Sequence, residues 1–144
     1  MEPTPPSQDL ILMLLAAGQS VERHLDQALS VIKGITFSEY QLLSALAGKP
    51  KATATRVDLA AAVAMTPSGV TRALKPLEKL GFVKTVKDDR DARRSLATLT
   101  ADGSELVNDA SGVVDDVLDD ITSLDDLSAT DRARLAGVLT ELAG

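Results

Sequence analysis

The residues best suited to chemistry lie between Thr66 and Thr100, in the segment TPSGVTRALKPLEKLGFVKTVKDDRDARRSLATLT. This segment offers hydroxyl groups near its start and four arginines. Such groups form hydrogen bonds and pair with anions. The rest of the 144-residue chain adds little catalytic equipment, because it has no cysteine and a single histidine, His24. A lone histidine on a helix is more often a structural residue than a catalyst or a metal ligand.

Sequence patterns typical of catalysis or cofactor binding do not occur. There is no Gly-rich phosphate loop, no zinc-ligand spacing and no Ser-centred elbow. The many aspartates recur at helical spacing and lack the alternating ligands and glycine of a calcium loop. We therefore predict that the chain is not an enzyme and that it holds neither a cofactor nor a metal.

The charge of the chain is unevenly distributed. The net charge is −6, yet residues 49–95 contain eleven basic and five acidic residues, a local charge of +6. The remainder has four basic and sixteen acidic residues, a charge of −12. This asymmetry predicts a basic surface carried on an acidic scaffold, although clustering by chance on a solvated face would give the same count.

Apolar periodicity and capping signals predict six helices and one small β-hairpin. A short helix is followed by a tight turn and a second helix, for which Thr66 is the N-cap and Pro67 the first residue. Two helices joined in this way form a helix-turn-helix pattern. The β-prone runs 82–86 and 96–100, with a charged loop between them, predict a hairpin directly after it.

The second helix of this pair has an exposed face that suits the DNA major groove, which admits a helix whose first residues meet base edges and phosphates. Arg72 is the strongest candidate for reading a base, because its guanidinium can pair with both guanine acceptors. Pro76 predicts a bend after the DNA-facing half. An ordinary exposed amphipathic helix would carry similar residues. The predicted DNA-binding residues of the helix are Thr66, Ser68, Gly69, Thr71, Arg72 and Lys75.

The hairpin supplies a second candidate contact, since arginine enters a narrow minor groove favourably. Aspartates alternate with the arginines, so we predict salt bridges from Asp88 and Asp91 that orient the guanidinium groups. A solvated charged loop is the alternative, but the position directly after a helix-turn-helix favours a wing. The predicted wing contacts are Lys87, Arg90, Arg93 and Arg94.

With these residues in place, the chain resembles the MarR family of winged helix-turn-helix regulators over nearly its whole length. The resemblance is carried by FSEYQLLSAL, VDLAAAVAMTPSGVTRALKPLEKLGFV and the wing sequence DDRDARRSLATLTADG. Asp89 stands where the family often has proline, which predicts a looser wing tip. The resemblance implies DNA contact by Ser68, Thr71 and Arg72 on the helix, and by Arg90 and Arg93 in the wing. It also implies a homodimer on a pseudo-palindromic operator, and release from DNA by small aromatic acids or phenols in some members. The cysteine-based peroxide sensing of some relatives is excluded.

The terminal helices carry wide apolar stripes that a single small winged domain could cover only in part, which also favours a dimer. The predicted interface residues are Leu14, Val21, Leu135, Leu139 and Leu142. The predicted regions are a flexible tail (1–7), an N-terminal dimerisation helix (8–34), the winged helix-turn-helix (35–100) and C-terminal dimerisation helices (101–144).

The leading hypothesis is a DNA-binding transcriptional regulator, expected to be a repressor. The alternative is a winged-helix module that binds protein instead of DNA, which the overall acidity favours. The longest apolar run, residues 10–17, has eight residues, whereas a membrane-spanning helix needs about 20. We therefore predict a cytoplasmic protein without a membrane segment. The predicted partners are double-stranded DNA, a second copy of the chain and a possible small-molecule effector.

Overall fold

The computed structural model describes residues 3–91 and 93–144 as a mainly helical chain with one small sheet. The helices and strands, in chain order, are α1 (Ser7–Lys33), α2 (Phe37–Ala47), β1 (Thr53–Thr55), α3 (Arg56–Val63), α4 (Pro67–Lys79), β2 (Val83–Lys87), β3 (Ser95–Leu99), α5 (Ala101–Asp119) and α6 (Ala129–Ala143). Short 3₁₀ turns lie at Pro50–Ala52 and Thr122–Leu124. The predicted tail is shorter by one residue, because α1 begins at Ser7, and its residues 1 and 2 lie outside the described part.

Side-chain caps define where the helices begin. Thr36 and Glu39 form the predicted capping box at α2, with hydrogen bonds of 3.0 and 2.9 Å to each other's backbone amides. Thr55 and Thr66 cap α3 and α4 in the same manner, each accepting a hydrogen bond of 3.1 Å from the amide three residues later. These bonds satisfy amides that have no partner within the helix, so they fix the helix starts within the sequence.

The sheet has three strands in the order β1-β3-β2, all antiparallel. The predicted hairpin is therefore part of a larger sheet, since the short strand β1, within a polar loop (49–55) that could hold one strand, pairs along the other edge of β3. Thr53 lies opposite Thr98, and their hydroxyls are 2.9 Å apart. Because β1 leads directly into α3, this pairing attaches the first helix of the helix-turn-helix to the hairpin.

Two clusters of buried side chains hold the chain together. The larger cluster joins α2, α3, α4 and the sheet, and the inward face of α4 contributes Val70, Leu74 and Leu77, which are fully buried as predicted. The smaller cluster joins α1 to α5, and it consists of Leu25, Leu29, Ile35, Ala110 and Val114. The winged region and the long helices thus have separate cores that meet along α5.

A close contact connects the start of α5 to the turn before β2. The Thr100 amide donates to the Phe82 carbonyl (3.0 Å), and the Thr100 hydroxyl donates to the Gly81 carbonyl (2.6 Å). Gly103 lies against this turn, where a Cβ would come within 2.1 Å of the Phe82 carbonyl oxygen. Gly81 itself has a φ of 82°, which favours glycine. The long helix and the wing are therefore joined through backbone atoms.

The outer helices leave much apolar surface uncovered within one chain. Helix α6 buries none of its residues, and every residue from Leu10 to Leu15 of α1 is exposed. Exposed apolar helix faces of this kind are typical of interaction surfaces. None of the helices in the described ranges is long and apolar enough to cross a membrane.

Candidate nucleic-acid interface

Helix α4 presents a polar and basic surface opposite its buried face. Ser68, Arg72 and Lys75 are exposed, at spacings of four and three residues that place them on one side of the helix. The helix carries no acidic residue in its first turn. The first ten residues of α4 thus combine the partial positive charge of a helix N-terminus with basic side chains. Both features attract phosphate groups such as those of a nucleic-acid backbone.

The other predicted residues of α4 also have structural roles. The Thr66 hydroxyl accepts from the Gly69 amide at 3.1 Å, and the Thr71 hydroxyl donates to the Pro67 carbonyl at 3.1 Å. A Cβ at Gly69 would lie 3.0 Å from the Thr66 hydroxyl oxygen. A side chain at position 69 would therefore press against the hydroxyl that caps the helix. Both Gly69 and Thr71 are half-buried.

Pro76 does not end the helix. Helix α4 runs from Pro67 to Lys79 with Pro76 inside it, and the Leu80 amide donates to the Pro76 carbonyl at 3.1 Å. The missing amide of Pro76 falls on the exposed side of the helix. The residues expected to meet DNA precede it in the helix, although the Arg72 carbonyl lacks the amide partner that residue 76 would otherwise supply.

The wing loop between β2 and β3 is organised by aspartates that bind backbone amides. Asp88 accepts from the Arg90 amide at 2.9 Å, and Asp91 accepts from the Arg93 amide at 3.0 Å. The Asp88 amide also donates to the Arg94 carbonyl at 3.1 Å, which continues the strand pairing into the loop. These local turns hold the backbone while the side chains of the three arginines remain exposed.

The predicted wing salt bridges are present for one aspartate. Arg94 Nε lies 3.9 Å from Asp88 Oδ2, and the Asp88 side chain is only 15% exposed. For Asp91 the described residues show the bond to the Arg93 backbone amide instead of an ion pair. The backbones of Arg90 and Arg93 are thus held by these two amide hydrogen bonds, and the side chains of both residues are exposed to solvent. Lys87 is exposed at the end of β2.

Arg56 is a residue of this region that the sequence does not single out. Its Nη1 donates to the Ser95 hydroxyl (3.1 Å) and its Nη2 to the Thr85 hydroxyl (3.2 Å), and Nη2 lies 3.6 Å from Glu78 Oε1. The Thr85 hydroxyl also donates to Glu78. These four residues, from α3, α4, β2 and β3, form what we call the Arg56 network. Its members are 7 to 39 residues apart, so no local sequence pattern connects them.

Four of the five predicted interface residues lie on the exposed apolar surface. Leu14, Leu135, Leu139 and Leu142 are between 38% and 53% exposed, and together with Ser7, Leu10, Ile11 and Val138 they line a groove of about 370 Å³ between α1 and α6. Val21 differs, because it is half-buried and packs on the smaller cluster of its own chain.

His24 has a bond typical of a structural residue. Its Nδ1 lies 2.7 Å from the Ser20 carbonyl oxygen one helical turn earlier, and it borders a shallow hollow with Val117, Asp120 and Ile121. Within residues 3–91 and 93–144, no group of three or more His, Cys, Asp or Glu side chains is arranged to hold a metal.

A helix-turn-helix followed by an arginine-bearing hairpin defines the winged helix-turn-helix class, whose members read nucleic acid with these two parts. Residues 33–94 match the sequence description of the MarR family. Over these residues the chain is similar to MarR-family transcriptional regulators, and its winged-helix fold agrees with that likeness.

Solved structures extend the likeness beyond the matched segment. Sco3205 of Streptomyces coelicolor, a MarR-family transcriptional regulator solved in complex with DNA, is 26% identical with a TM-score of 0.87, covering 99% of this chain and 90% of that one. Apo MarR of E. coli is 25% identical with a TM-score of 0.74, covering 98% of both chains. BpsR of Bordetella bronchiseptica shares the fold at 22% identity and a TM-score of 0.82, covering 99% of this chain and 98% of that one. A comparison with curated proteins found no match.

Proposed function

We propose that the chain is a sequence-specific repressor that binds a pseudo-palindromic operator as a homodimer. The observation that carries this proposal is the exposed basic face of α4 beside a wing whose three arginines are exposed and whose backbone is held by local hydrogen bonds. Sco3205, a relative of similar length, is described in complex with DNA. We expect α4 to enter the major groove and the wing arginines to enter the adjacent minor groove.

The groove between α1 and α6 supports the dimer. Its lining is almost entirely leucine, isoleucine and valine, and burying one such side chain contributes about 1.5–3 kcal/mol. A second copy of the same terminal helices would cover this surface on both chains with one symmetric contact. The resulting dimer would present two α4 helices about 34 Å apart, which is one turn of DNA.

A small aromatic ligand is the proposed effector. The region where α1, α2 and α5 meet contains the stacked rings of Phe37 and Tyr40, 6.1 Å apart, against the smaller cluster. The DNA binding of BpsR is described as regulated by 6-hydroxynicotinic acid. A ligand that displaced these rings would disturb the contact between α5 and the winged region. The expected result is release of the duplex on titration with hydroxylated aromatic acids.

The test of DNA binding is selection from random duplexes followed by affinity measurement at several salt concentrations. We expect enriched half-sites spaced by one helical turn and a log–log salt slope of about −0.9 for each phosphate neutralised. Arg72→Ala and Arg93→Ala should each weaken operator binding, the former with loss of base preference at one position by about 1–3 kcal/mol. Should no duplex be retained at low salt, the protein-binding alternative would replace this proposal.

A further inference from the structure

The Arg56 network occupies the place where the wing leaves the body of the protein. Ser95 is the first residue of β3 and directly follows Arg94, and it lies opposite Lys87, the last residue of β2. Arg56 binds this end of the hairpin, whereas Glu78 stands on the last turn of α4. The network therefore connects the C-terminal end of α4, the recognition helix of the proposed function, to the arginine-bearing end of the wing.

The chemistry of Arg56 suits a fixed connection. The Arg56 side chain is 18% exposed and the Glu78 side chain 30% exposed, so water screens the pair less than it screens a surface ion pair. The planar guanidinium directs its donors at fixed angles, and here they reach both wing strands. The Thr85 hydroxyl closes the arrangement by donating to the same carboxylate that Arg56 faces.

Among the described residues, no side-chain hydrogen bond or ion pair outside the Arg56 network connects the wing loop to α4. The loop's own bonds, from Asp88 and Asp91, are local to residues 88–94. These bonds fix the conformation of the loop, but they do not fix its orientation relative to α4. The buried Val83 and Leu99 anchor the opposite end of the hairpin, and the buried Ala97 lies at its middle, across from Thr85.

We propose that Arg56 is a positioning residue that sets the angle between the recognition helix and the wing, so that both reach the same duplex. This inference rests on the proposed function. In it, Arg56 acts through Thr85 and Ser95 on the wing arginines and makes no DNA contact of its own. Loss of the network would leave α4 able to bind and the wing misdirected.

The first experiment uses Glu78→Ala, because two explanations predict opposite signs for it. Removing an acid from a DNA-binding protein should strengthen attraction to phosphates if charge alone matters. If the network aims the wing, Glu78→Ala should weaken operator binding about three- to tenfold, within the usual range for coupled residues. Glu105→Ala, which removes an exposed helical glutamate, is the matched control and should bind as tightly as wild type or tighter. Equal behaviour of the two variants would overturn the proposal.

The second experiment is a double-mutant cycle with Arg56→Lys, which keeps the charge and loses the forked geometry. We expect it to weaken operator binding about three- to tenfold alone and in the Arg72→Ala background, but less than twofold in a background in which Arg90, Arg93 and Arg94 are all alanine. The log–log salt slope should become shallower in Arg56→Lys, because fewer phosphates are neutralised. A loss of equal size in all three backgrounds would contradict the proposal.

Folding and function are separated by two further measurements. Thermal unfolding of each variant identifies any loss of folded protein, and the milder Ser95→Ala, which removes one hydroxyl, should still show a reduced salt slope. If wild-type protein binds no duplex, the proposed function itself fails. If wild type binds and Ser95→Ala and Arg56→Lys keep its affinity and salt slope, only the role of Arg56 is refuted.

Discussion

Gly103→Ala is expected to destabilise the chain strongly, although alanine favours helices more than glycine does. The new Cβ would lie 2.1 Å from the Phe82 carbonyl oxygen, 2.6 Å from Leu99 Cδ1 and 3.0 Å from the Phe82 carbonyl carbon. Two of these atoms belong to the backbone, so a side-chain rotation cannot relieve the overlap. The start of α5 must instead move away from the turn that precedes β2.

The magnitude follows from three contributions. Forcing extra volume into a packed site costs about 1–3 kcal/mol. The separation would also weaken the hydrogen bond from the Thr100 amide to the Phe82 carbonyl, which is worth about 0.5–1.5 kcal/mol. Alanine returns about 1 kcal/mol through its helix propensity. The expected net loss is about 0.5–3.5 kcal/mol in the free energy of unfolding.

Gly112→Ala in the same helix is the matched control, because a Cβ at Gly112 would meet nothing within 4 Å. It should stabilise the chain by about 0.5–1 kcal/mol. Urea unfolding followed by circular dichroism measures both variants, at equal protein concentration because dimerisation would add to apparent stability. If both glycines responded alike, the close contact at Gly103 would not be the reason that glycine is needed there.

Three further predictions concern assembly, capping and charge. Leu139→Arg should convert the proposed dimer to monomers in sedimentation velocity and abolish cooperative operator binding, whereas persistence of the dimer would place its interface elsewhere. Thr66→Ala should cost about 1 kcal/mol of stability in thermal unfolding, since it removes the cap of α4, while Thr66→Ser should cost much less; equal losses would show that the hydroxyl is not the cap. Changing four acids near the C-terminal end of α5 to asparagine should raise binding to non-specific duplex at low salt, because these acids repel phosphates, and unchanged binding would contradict that role; the four are Asp115, Asp116 and Asp119 of the helix and Asp120, its C-cap.

The starts of α2, α3, α4 and α6 could be predicted because the signals that define them are local. Thr36 with Glu39, and Thr66 with the Gly69 amide, are separated by three residues, so the sequence itself contains both partners. The buried face of α4 was likewise predictable from the spacing of its apolar residues. Such patterns depend on the 3.6-residue repeat of the helix and on little else.

The remaining features depend on contacts between distant parts of the chain. Strand β1 has three residues, and only its pairing with β3 some 45 residues later makes it a strand. The Arg56 network has the same origin. Val21 shows a further limit of prediction from sequence. Apolar periodicity predicts that a helix face is buried, but it does not indicate whether a partner or the same chain covers that face.

The strand order of the sheet also bears on how the unbound protein avoids aggregation through its strand edges. With β3 in the centre, the two edges are β1, which is only three residues long, and β2, which carries the exposed Lys84 and Lys87. Short edges and edge lysines are the usual protection against strand-to-strand aggregation. Lys87, at the end of β2, thus protects the wing edge from pairing with other strands when no duplex is bound. Replacing Lys87 with a β-branched apolar residue should therefore increase aggregation of the unbound protein.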